Sequence, residues 1–433
     1  MTARRTALAA LIACRKQGAW SDGILKEYLA RDELDRRDAA LASRLCYGVL
    51  QNRMLLDYYL QQVLTGRLKD LQPVVLDILR LGAYQILLLD KIPAAAAVNE
   101  SVNLCKKYAN HRAAGLVNGV LRSLDREKER LKMPEDLPTR YSHPAPLVAL
   151  MEQSVGKEQI ESVLGADNET PQTAVQINIL KAKTTEIQSQ LQSGGAEVRQ
   201  HPWMPDCLLV SGAGSVELLP PFQQGACYVQ DPAARLAAEA AGILPGMTVL
   251  DACAAPGGKS FVAAIGMKDE GSIFSCDIHP HKIELLKRGA ERLGLTCMHP
   301  MQQDATDYRE SWEKKMDAVL ADVPCSGLGI IRKKPDIRYE NLLDLQQLPQ
   351  LQLQILKNVA RYVRPGGVLL YSTCTILHRE NEEVVQAFLW GNEEFTLEQM
   401  ELPVGGENQG MLTLLPGQYD TDGFFICKMR RRP

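Results

Sequence analysis

From residue 231 onward, short apolar runs alternate regularly with helical stretches. The apolar runs read TVLDACA, SIFSCDI, MDAVLADV and GVLLYSTC, and the helical stretches lie at 259–266, 280–293, 343–363 and 379–391. Strands that alternate with helices pair in parallel, so this pattern predicts a mostly parallel sheet with helices on both faces. A ligand of such a sheet binds at the carboxyl ends of the strands, near the point where the strand order reverses.

Two further segments precede this α/β domain, which we predict over 231–433. Residues 1–133 are predicted to be all-helical, because Leu and Ala recur at helical spacing in ALAALIAC, LASRLCYGVL, LLDYYLQQVL and VVLDILRLGAYQILLL. A proline-rich linker then begins at Pro134. Over 134–230 the pattern is mixed, with strands expected at TAVQINIL, CLLVSG and CYVQD and a helix over 184–193. These features indicate a small α+β domain.

The charge is distributed unevenly along the chain. Residues 1–140 contain 23 Lys or Arg against 16 Asp or Glu, whereas the remaining residues contain 26 against 36. A basic front half indicates an anionic partner, and nucleic acid is the first candidate. The alternative is ordinary scatter of charge on a helical domain.

The chain contains eleven cysteines. An odd number in a chain without a secretory signal argues against a disulfide framework, and no Cys or His cluster has the spacing of a zinc site. We therefore expect no bound metal. No uncharged apolar stretch reaches the ~18 residues of a membrane span, and Arg15 and Lys16 interrupt the N-terminal apolar run. A cytoplasmic protein without a membrane segment is expected.

The segment DACAAPGGK, residues 251–259, joins a predicted strand to a predicted helix. Its small residues let a ligand approach the backbone closely, and the start of the helix offers free N–H groups to a polar ligand. Neither GxGxxG nor GxxxxGK[ST] occurs here, which argues against a dinucleotide fold and a P-loop.

Acidic residues follow the successive strands of this domain. Asp251 is joined by Asp277, Asp304 and Asp322, each near the end of a predicted strand. Any one of them could be a helix cap or a turn residue. Four carboxylates at one sheet edge instead suit a nucleoside with a positive centre and an amino-acid tail, which describes S-adenosylmethionine.

Two cysteines lie at the ends of adjacent predicted strands, Cys325 in DVPCS and Cys374 in STCT. Such a pair suggests covalent catalysis on cytosine, since a thiolate that adds to C6 makes C5 able to attack a methyl group. A second group must then remove the C5 proton so that the thiol can leave. The chemistry alone leaves open which thiol attacks, and a buried packing role is the alternative for either one.

These motifs carry a resemblance to a known family. DACAAPGGK, DVPCSGLG, RKKPDIR, and YSTCT followed by Glu380 and Asn381 resemble the RNA cytosine-C5 methyltransferase family (NOL1/NOP2/Sun), and GQYDTDGFFICKM resembles its C-terminal hairpin. ILRLGAYQILLLDKIPAAAAVNESVNLCKK and LVNGVLRSL resemble NusB, an RNA-binding antitermination factor. The resemblance implies a NusB-like N-terminal domain, a small RNA-contacting middle domain, and a Rossmann-like class I methyltransferase domain with a seven-stranded, mostly parallel sheet.

The resemblance also implies roles for individual residues. It assigns the nucleophile to Cys374 and product release to Cys325, and it directs Asp322 to the flipped cytosine or to the methionine amino group. The implied S-adenosylmethionine site comprises Cys253, Ala254, Ala255, Pro256, Gly257, Gly258, Lys259, Asp277, Asp304 and Asp322. The basic residues after the first cysteine motif are candidate contacts to RNA phosphates: Arg332, Lys333, Lys334 and Arg338. Gln176 stands where the family pattern has Arg, so one phosphate contact is in doubt.

Taken together, the resemblance implies an S-adenosylmethionine-dependent enzyme that methylates C5 of a cytosine in 16S ribosomal RNA, free or in early small-subunit assembly. A monomer is expected. One alternative is the same chemistry on tRNA or another RNA. A second is a catalytically inert RNA-binding antitermination or assembly factor, against which the intact Cys325, Cys374 and Asp322 speak.

Overall fold

The computed structural model describes residues 2–17 and 20–433, and the chain forms two compact units. Unit 1 comprises Met1–Glu152, Lys157–Glu169 and Ile331–Glu340, and unit 2 comprises Gln153–Gly156, Thr170–Ile330 and Asn341–Pro433. The predicted boundaries at 133/134 and 230/231 do not coincide with the limits of these units. The three-domain division stays a prediction.

Unit 1 is built from helices. They are α1 Ala3–Gln17, α2 Ser21–Asp32, α3 Arg36–Gln51, α4 Arg53–Val63, α5 Pro73–Leu88, α6 Ala94–Tyr108, α7 His111–Glu127, α8 Leu137–Tyr141, α9 Ala145–Val155, whose last residues are grouped with unit 2, and α10 Ile160–Ala166. In α7 the Asn110 side chain caps the first turn by accepting a hydrogen bond from the Ala113 N–H, and Val117, Leu121 and Leu124 are fully buried on one face. The predicted all-helical character of this segment is confirmed.

The segment Ile331–Glu340 packs within unit 1 and contains Arg338, which is only 1% exposed. Its guanidinium donates hydrogen bonds to the backbone oxygen of Gln51 at 2.7 Å and to Asn168 Oδ1 at 3.0 Å. Because the side chain is buried within unit 1, a phosphate cannot reach it, so the prediction of an RNA contact for Arg338 is wrong. Lys334 is exposed.

Unit 2 begins with a small antiparallel sheet. Its strands are β1 Thr173–Ile177, β2 Glu197–Gln200, β3 Cys207–Ser211 and β4 Cys227–Val229 in the order β2-β3-β1-β4, with helices α11 Thr184–Ser193 and α12 Pro220–Gln223 between them. The predicted strands and the helix over 184–193 are present. β2 was not predicted, because in this edge strand only Val198 is even half-buried and the alternation of apolar residues is lost.

Gln176 lies in the centre of this small sheet and is fully buried. Its Nε2 donates to the Gln230 backbone oxygen at 3.0 Å, and its Oε1 accepts from Arg235 at 2.8 Å. The residue at this position is therefore part of the interior of unit 2 and makes no phosphate contact.

The second sheet of unit 2 is mostly parallel. Its strands are β5 Thr248–Asp251, β6 Ser272–Asp277, β7 Met298–Gln302, β8 Met316–Asp322, β9 Val363–Thr373, β10 Phe395–Leu397, β11 Met411–Leu414 and β12 Phe424–Arg431. The order is β10-β12-β9-β8-β5-β6-β7, and β11 pairs only with β12. The five strands from β5 to β9 run parallel, whereas β12 is antiparallel to its neighbours. The sheet thus has eight strands, the hairpin strand β11 being added to the seven predicted.

Helices cover both faces of this sheet. They are α13 Pro232–Ala240, α14 Gly258–Gly266, α15 Pro280–Leu293, α16 Leu348–Ala360 and α17 Glu382–Trp390. Successive residues of a strand point to opposite faces, so Val249 packs in the cluster under α13–α15 and Leu250 in the cluster under α16 and α17. The strand order reverses between β5 and β8, as predicted for a doubly wound sheet. Within residues 2–17 and 20–433, no helix has both the length and the apolar character needed to cross a membrane.

Candidate active site

The loop after β5 brings its backbone close to the strand ends. The Ala254 N–H donates to the backbone oxygen of Cys276 in β6 at 2.7 Å, which fixes the loop beside the neighbouring strand. Gly257 has φ of 119°, and a Cβ there would come within 2.4 Å of the Phe261 ring. Only glycine tolerates that backbone conformation and that approach. The glycine-rich turn therefore leads directly into the first residue of α14, Gly258.

A first cavity of about 410 Å³ belongs to unit 1, whereas two cavities of unit 2 adjoin the loop after β5. The smaller of these two, about 300 Å³, is lined by Cys253, Asp277, Asp304 and Pro324 among others, and we call it cavity A. Asp277 accepts a hydrogen bond from the His279 N–H at 3.0 Å and lies 3.5 Å from Lys282. Two predicted carboxylates from the ends of β6 and β7 thus meet in one cavity.

The Asp304 carboxylate is held by its own turn. Its Oδ1 accepts from the Thr306 N–H at 2.8 Å and from the Thr306 hydroxyl at 2.7 Å. Asp304 is therefore a turn residue and also lines cavity A, so the turn orients a carboxylate that a ligand in this cavity can contact.

The larger cavity of unit 2, cavity B, has a volume of about 670 Å³ and is lined by Cys253, Gly258, Lys259 and Asp322 among others. The Lys259 ammonium lies 2.7 Å from Asp322 Oδ2, and the Ser372 hydroxyl donates to Asp322 Oδ1 at 2.8 Å. Cys253 lines both cavities, so cavities A and B are neighbours. Cavity B therefore contains a cation and a carboxylate that are fixed by each other.

Asp251 lies beneath cavity B and is fully buried. Burial raises the pKa of its carboxyl from 3.8 to about 7, although the Ser260 hydroxyl, which donates to Oδ2 at 2.7 Å, acts in the opposite direction. Its Oδ1 has no hydrogen-bond partner among the residues that the structure describes. The carboxyl is thus an acid that titrates near neutral pH.

The two predicted cysteines are in contact. Asp322 in β8 pairs with Ser372 in β9, so the loops that follow these two strands begin side by side, and Cys325 Sγ lies 3.2 Å from Cys374 Sγ. The hydrogen bond to Cys374, followed by burial, raises the pKa of the Cys325 thiol well above its ordinary value. The raised pKa favours the thiol form of Cys325, and its sulfur lies within hydrogen-bond distance of the Cys374 sulfur.

Several buried polar residues lie around these cysteines, and the sequence predicts no role for them. They are Ser326, Gln352, Thr375, Glu380 and Asn381. Glu380 and Asn381 belong to the motif that follows YSTCT, but nothing in the sequence indicated their contacts. Gln352 carried one signal, since it lies on the same face of α16 as the buried Ile355 and Leu356, where a polar side chain needs a specific partner.

The residues of the predicted cofactor site fit S-adenosylmethionine by their chemistry. Cavity A offers the carboxylates of Asp277 and Asp304 to hydroxyl and amino groups, and cavity B offers the Lys259 cation, the Asp322 carboxylate and the open backbone before α14 to a charged amino-acid tail. Among residues 2–17 and 20–433, no group of three or more His, Cys, Asp or Glu side chains could hold a metal ion.

Comparison with known proteins gives three family matches along the chain. The NusB family matches residues 1–126, an RsmF/B-like ferredoxin-like domain matches residues 143–217, and the 16S rRNA methyltransferase RsmB/F model matches residues 243–430. The predicted fold class is thereby confirmed, with the middle domain described as ferredoxin-like.

Relatives match over nearly the whole chain. A Bacillus subtilis protein named "probable ribosomal RNA small subunit methyltransferase B" is 38% identical over 99% of this chain and 98% of its own length. Ribosomal RNA small subunit methyltransferase B of Klebsiella pneumoniae (strain 342) is 31% identical over 93% of this chain and 92% of its own. The crystal structure of PH0851 is 25% identical and covers 98% of both chains with a TM-score of 0.82.

Proposed function

Because the chain belongs to the ribosomal RNA small subunit methyltransferase B family, we propose that it methylates C5 of a cytosine in 16S ribosomal RNA. The methyltransferase activity is that of the family, and the methyl donor is S-adenosylmethionine. The observation that carries the cytosine-C5 chemistry is the contact of two thiols, Cys325 and Cys374, at 3.2 Å beside the proposed cofactor cavities.

Cytosine C5 is too weak a nucleophile to take a methyl group unaided. In the proposed reaction the Cys374 thiolate forms a bond to C6, which places a pair of electrons on C5. When bound, S-adenosylmethionine would supply the methyl group on its positively charged sulfur, and the S–CH3 bond would break as C5 takes the methyl group, leaving the neutral thioether S-adenosylhomocysteine. Loss of the C5 proton to a base then returns the electrons to the ring, and the bond between Cys374 and C6 breaks.

The two thiols are proposed to have different roles in the reaction. Cys325 holds its proton, since the contact with Cys374 and burial both raise its pKa. Cys374 is proposed as the attacking thiolate, because a protonated Cys325 whose sulfur lies 3.2 Å away would stabilise negative charge on the Cys374 sulfur. Cys325 is proposed to assist release of the product, where the leaving Cys374 sulfur again gains negative charge.

Asp322 is proposed to hydrogen-bond the target cytosine. Its side chain is 31% exposed, and Lys259 and Ser372 each contact one of its two oxygens. A base that reaches a carboxylate lining cavity B must be unstacked or flipped out of its helix. Lys259, whose side chain is only 8% exposed, is proposed to keep Asp322 oriented and to contact the methionine end of the cofactor in cavity B.

The RNA contacts proposed for the basic segment are now limited to Arg332, Lys333 and Lys334. Phosphate contacts by these residues would be sequence-independent and sensitive to salt. We further propose that the protein acts as a monomer in the cytoplasm, on 16S ribosomal RNA that is free or in early assembly.

The proposal is tested by trapping the covalent complex. The variant Cys325→Ala is incubated with S-adenosylmethionine and total cellular RNA, and the products are separated on a denaturing gel. We expect a slowly migrating protein–RNA adduct that is absent from Cys325→Ala/Cys374→Ala, and the sequence of the trapped RNA identifies the substrate. An adduct formed only by Cys374→Ala would exchange the roles of the thiols, and an adduct with tRNA would change the substrate. If no variant traps RNA, an inert RNA-binding factor becomes the better explanation.

A further inference from the structure

Glu380 holds both chain neighbours of Cys325. The Glu380 carboxylate is fully buried, and its Oε2 accepts a hydrogen bond from the Ser326 N–H at 2.9 Å. The same oxygen accepts from Gln352 Nε2 at 2.9 Å, and Gln352 Nε2 also donates to the backbone oxygen of Pro324 at 2.9 Å. The residues before and after Cys325 are thus tied, directly or through Gln352, to one buried carboxylate.

Asn381, the next residue, does the same for Cys374. Its Oδ1 accepts from the Thr373 hydroxyl at 2.6 Å, and its Nδ2 donates to the backbone oxygen of Thr375 at 3.0 Å. Asn381, Thr373 and Thr375 are all fully buried. The residues before and after Cys374 are therefore also held, and the holding residue is joined to Glu380 by a single peptide bond.

A third contact joins the two cysteine loops to each other. The Ser326 and Thr375 hydroxyls, each on the residue after a cysteine, lie 2.7 Å apart. Glu380 and Asn381 touch neither cavity, since neither lines cavity A or B. A reaction that uses two thiols in sequence depends strongly on their placement, because a misplacement of about 1 Å can cost a hundredfold in rate.

We propose that Glu380 and Asn381 are positioning residues, Glu380 holding Cys325 for product release and Asn381 holding Cys374 for attack on the base. The inference rests on the proposed function, because it assigns the two residues to the two halves of that reaction. Glu380 has a second effect that agrees with this assignment. Its negative charge adds to the rise in the pKa of the Cys325 thiol, which keeps that thiol protonated.

The two variants are expected to fail at different steps. Glu380→Ala frees the Cys325 loop, so the covalent RNA adduct of Cys374 should accumulate as in Cys325→Ala, with release at least about tenfold slower than in the wild type. Asn381→Ala frees the Cys374 loop, so adduct formation in a single turnover should slow at least about tenfold, without accumulation of adduct. A purely structural role would lower both steps together with the fraction of folded enzyme.

Two matched variants separate position from stability and from charge. Asn408 is a buried amide whose side-chain hydrogen bonds go to the backbone of Met400, Gly406 and Gly410 and not to the cysteine loops, so Asn408→Ala should lower the melting temperature without changing either step. Glu380→Gln keeps one oxygen for the Ser326 and Gln352 N–H groups, so we expect release within about threefold of the wild type. If Glu380→Ala does not fold, Gln352→Leu serves instead, since it removes the donor to Pro324 and should also accumulate adduct.

The proposal is overturned if Glu380→Ala, or Gln352→Leu in its place, releases product at the wild-type rate. It is also overturned if Glu380→Ala and Asn381→Ala slow the same step of the reaction, or if Asn408→Ala slows that step as much as they do. Failure of the proposed function is recognised separately, because in that case Cys325→Ala itself traps no RNA.

Discussion

Asp251 makes the stability of unit 2 dependent on pH in a direction that the structure specifies. Its carboxyl is fully buried and its pKa is raised from 3.8 to about 7, chiefly by burial. Since the folded pKa exceeds the unfolded pKa, the folded state holds the extra proton between these two values. The contribution of Asp251 to the free energy of unfolding is therefore fully present below about pH 4 and is lost as the pH rises from 4 through 7.

The magnitude follows from the size of the shift. Each pKa unit corresponds to about 1.4 kcal/mol, so titration of Asp251 lowers the free energy of unfolding by about 4 kcal/mol in total. About 3 kcal/mol of this decrease occurs between pH 5 and pH 8. Asp251→Asn removes the titration. Its amide oxygen can still accept from the Ser260 hydroxyl, while its NH₂ group takes the place of Oδ1, which has no partner among the described residues.

Hydrogen exchange measured by mass spectrometry on peptides covering β5 and β6 reports the opening free energy of this part of the sheet. With exchange rates corrected for their intrinsic pH dependence, the opening free energy of Asp251→Asn relative to the wild type should rise by about 3 kcal/mol from pH 5 to pH 8. Ser260→Ala serves as a control that keeps the titrating carboxyl. A relative opening free energy that stays constant with pH to within about 1 kcal/mol would refute the assignment of the titration to Asp251.

Three further measurements test other parts of the structure. Asp277→Ala should weaken S-adenosylmethionine binding by about 1–3 kcal/mol through loss of a buried acceptor in cavity A, and an unchanged affinity by titration calorimetry would remove Asp277 from the site. Glu398 is held by Arg430 and Lys428, and the hydrogen bond from Arg430 lowers the pKa of Glu398 to about 2, so its stabilisation is present above about pH 4.5 and is lost as the pH falls through 2. Glu398→Gln should therefore destabilise unit 2 by about 1 kcal/mol at pH 7 after solvent screening and by less at pH 2 in urea unfolding curves. Lys334→Ala should reduce the slope of log RNA affinity against log salt by about one, whereas Arg338→Leu should lower unfolding free energy by about 3 kcal/mol and leave the slope unchanged. A lower slope in Arg338→Leu would argue against the buried role that its contacts indicate.

Local sequence patterns were sufficient to predict most of the fold. The alternation of apolar runs with helical stretches in the second half reflects strands buried on both faces, and the helical spacing in the first half reflects one buried stripe per helix. These signals are local, so they could be read without the rest of the chain. Strand β2 was not predictable, because an edge strand with one half-buried residue shows no alternation of apolar residues.

The candidate site was predictable in its residue types but not in its contacts. Asp277 and Asp322 end their strands and Asp304 follows β7, and parallel strands bring their carboxyl ends to one edge. The sequence could not indicate that Asp277 and Asp304 line cavity A while Asp322 and Lys259 pair in cavity B. That division depends on how the loop after β5 turns between the strands.

By itself, the sequence determined the layered α/β domain, the helical front segment, and the two cysteines at adjacent strand ends. Only the tertiary structure decided that Arg338 is an interior residue despite its basic neighbours, and that Glu380 and Asn381 reach the chain on both sides of the two thiols. The physical reason is the range of the interactions. Periodicity and turns are set by neighbours a few residues apart, whereas the partner of a buried polar group is chosen by segments that are distant in sequence and meet only in the folded chain.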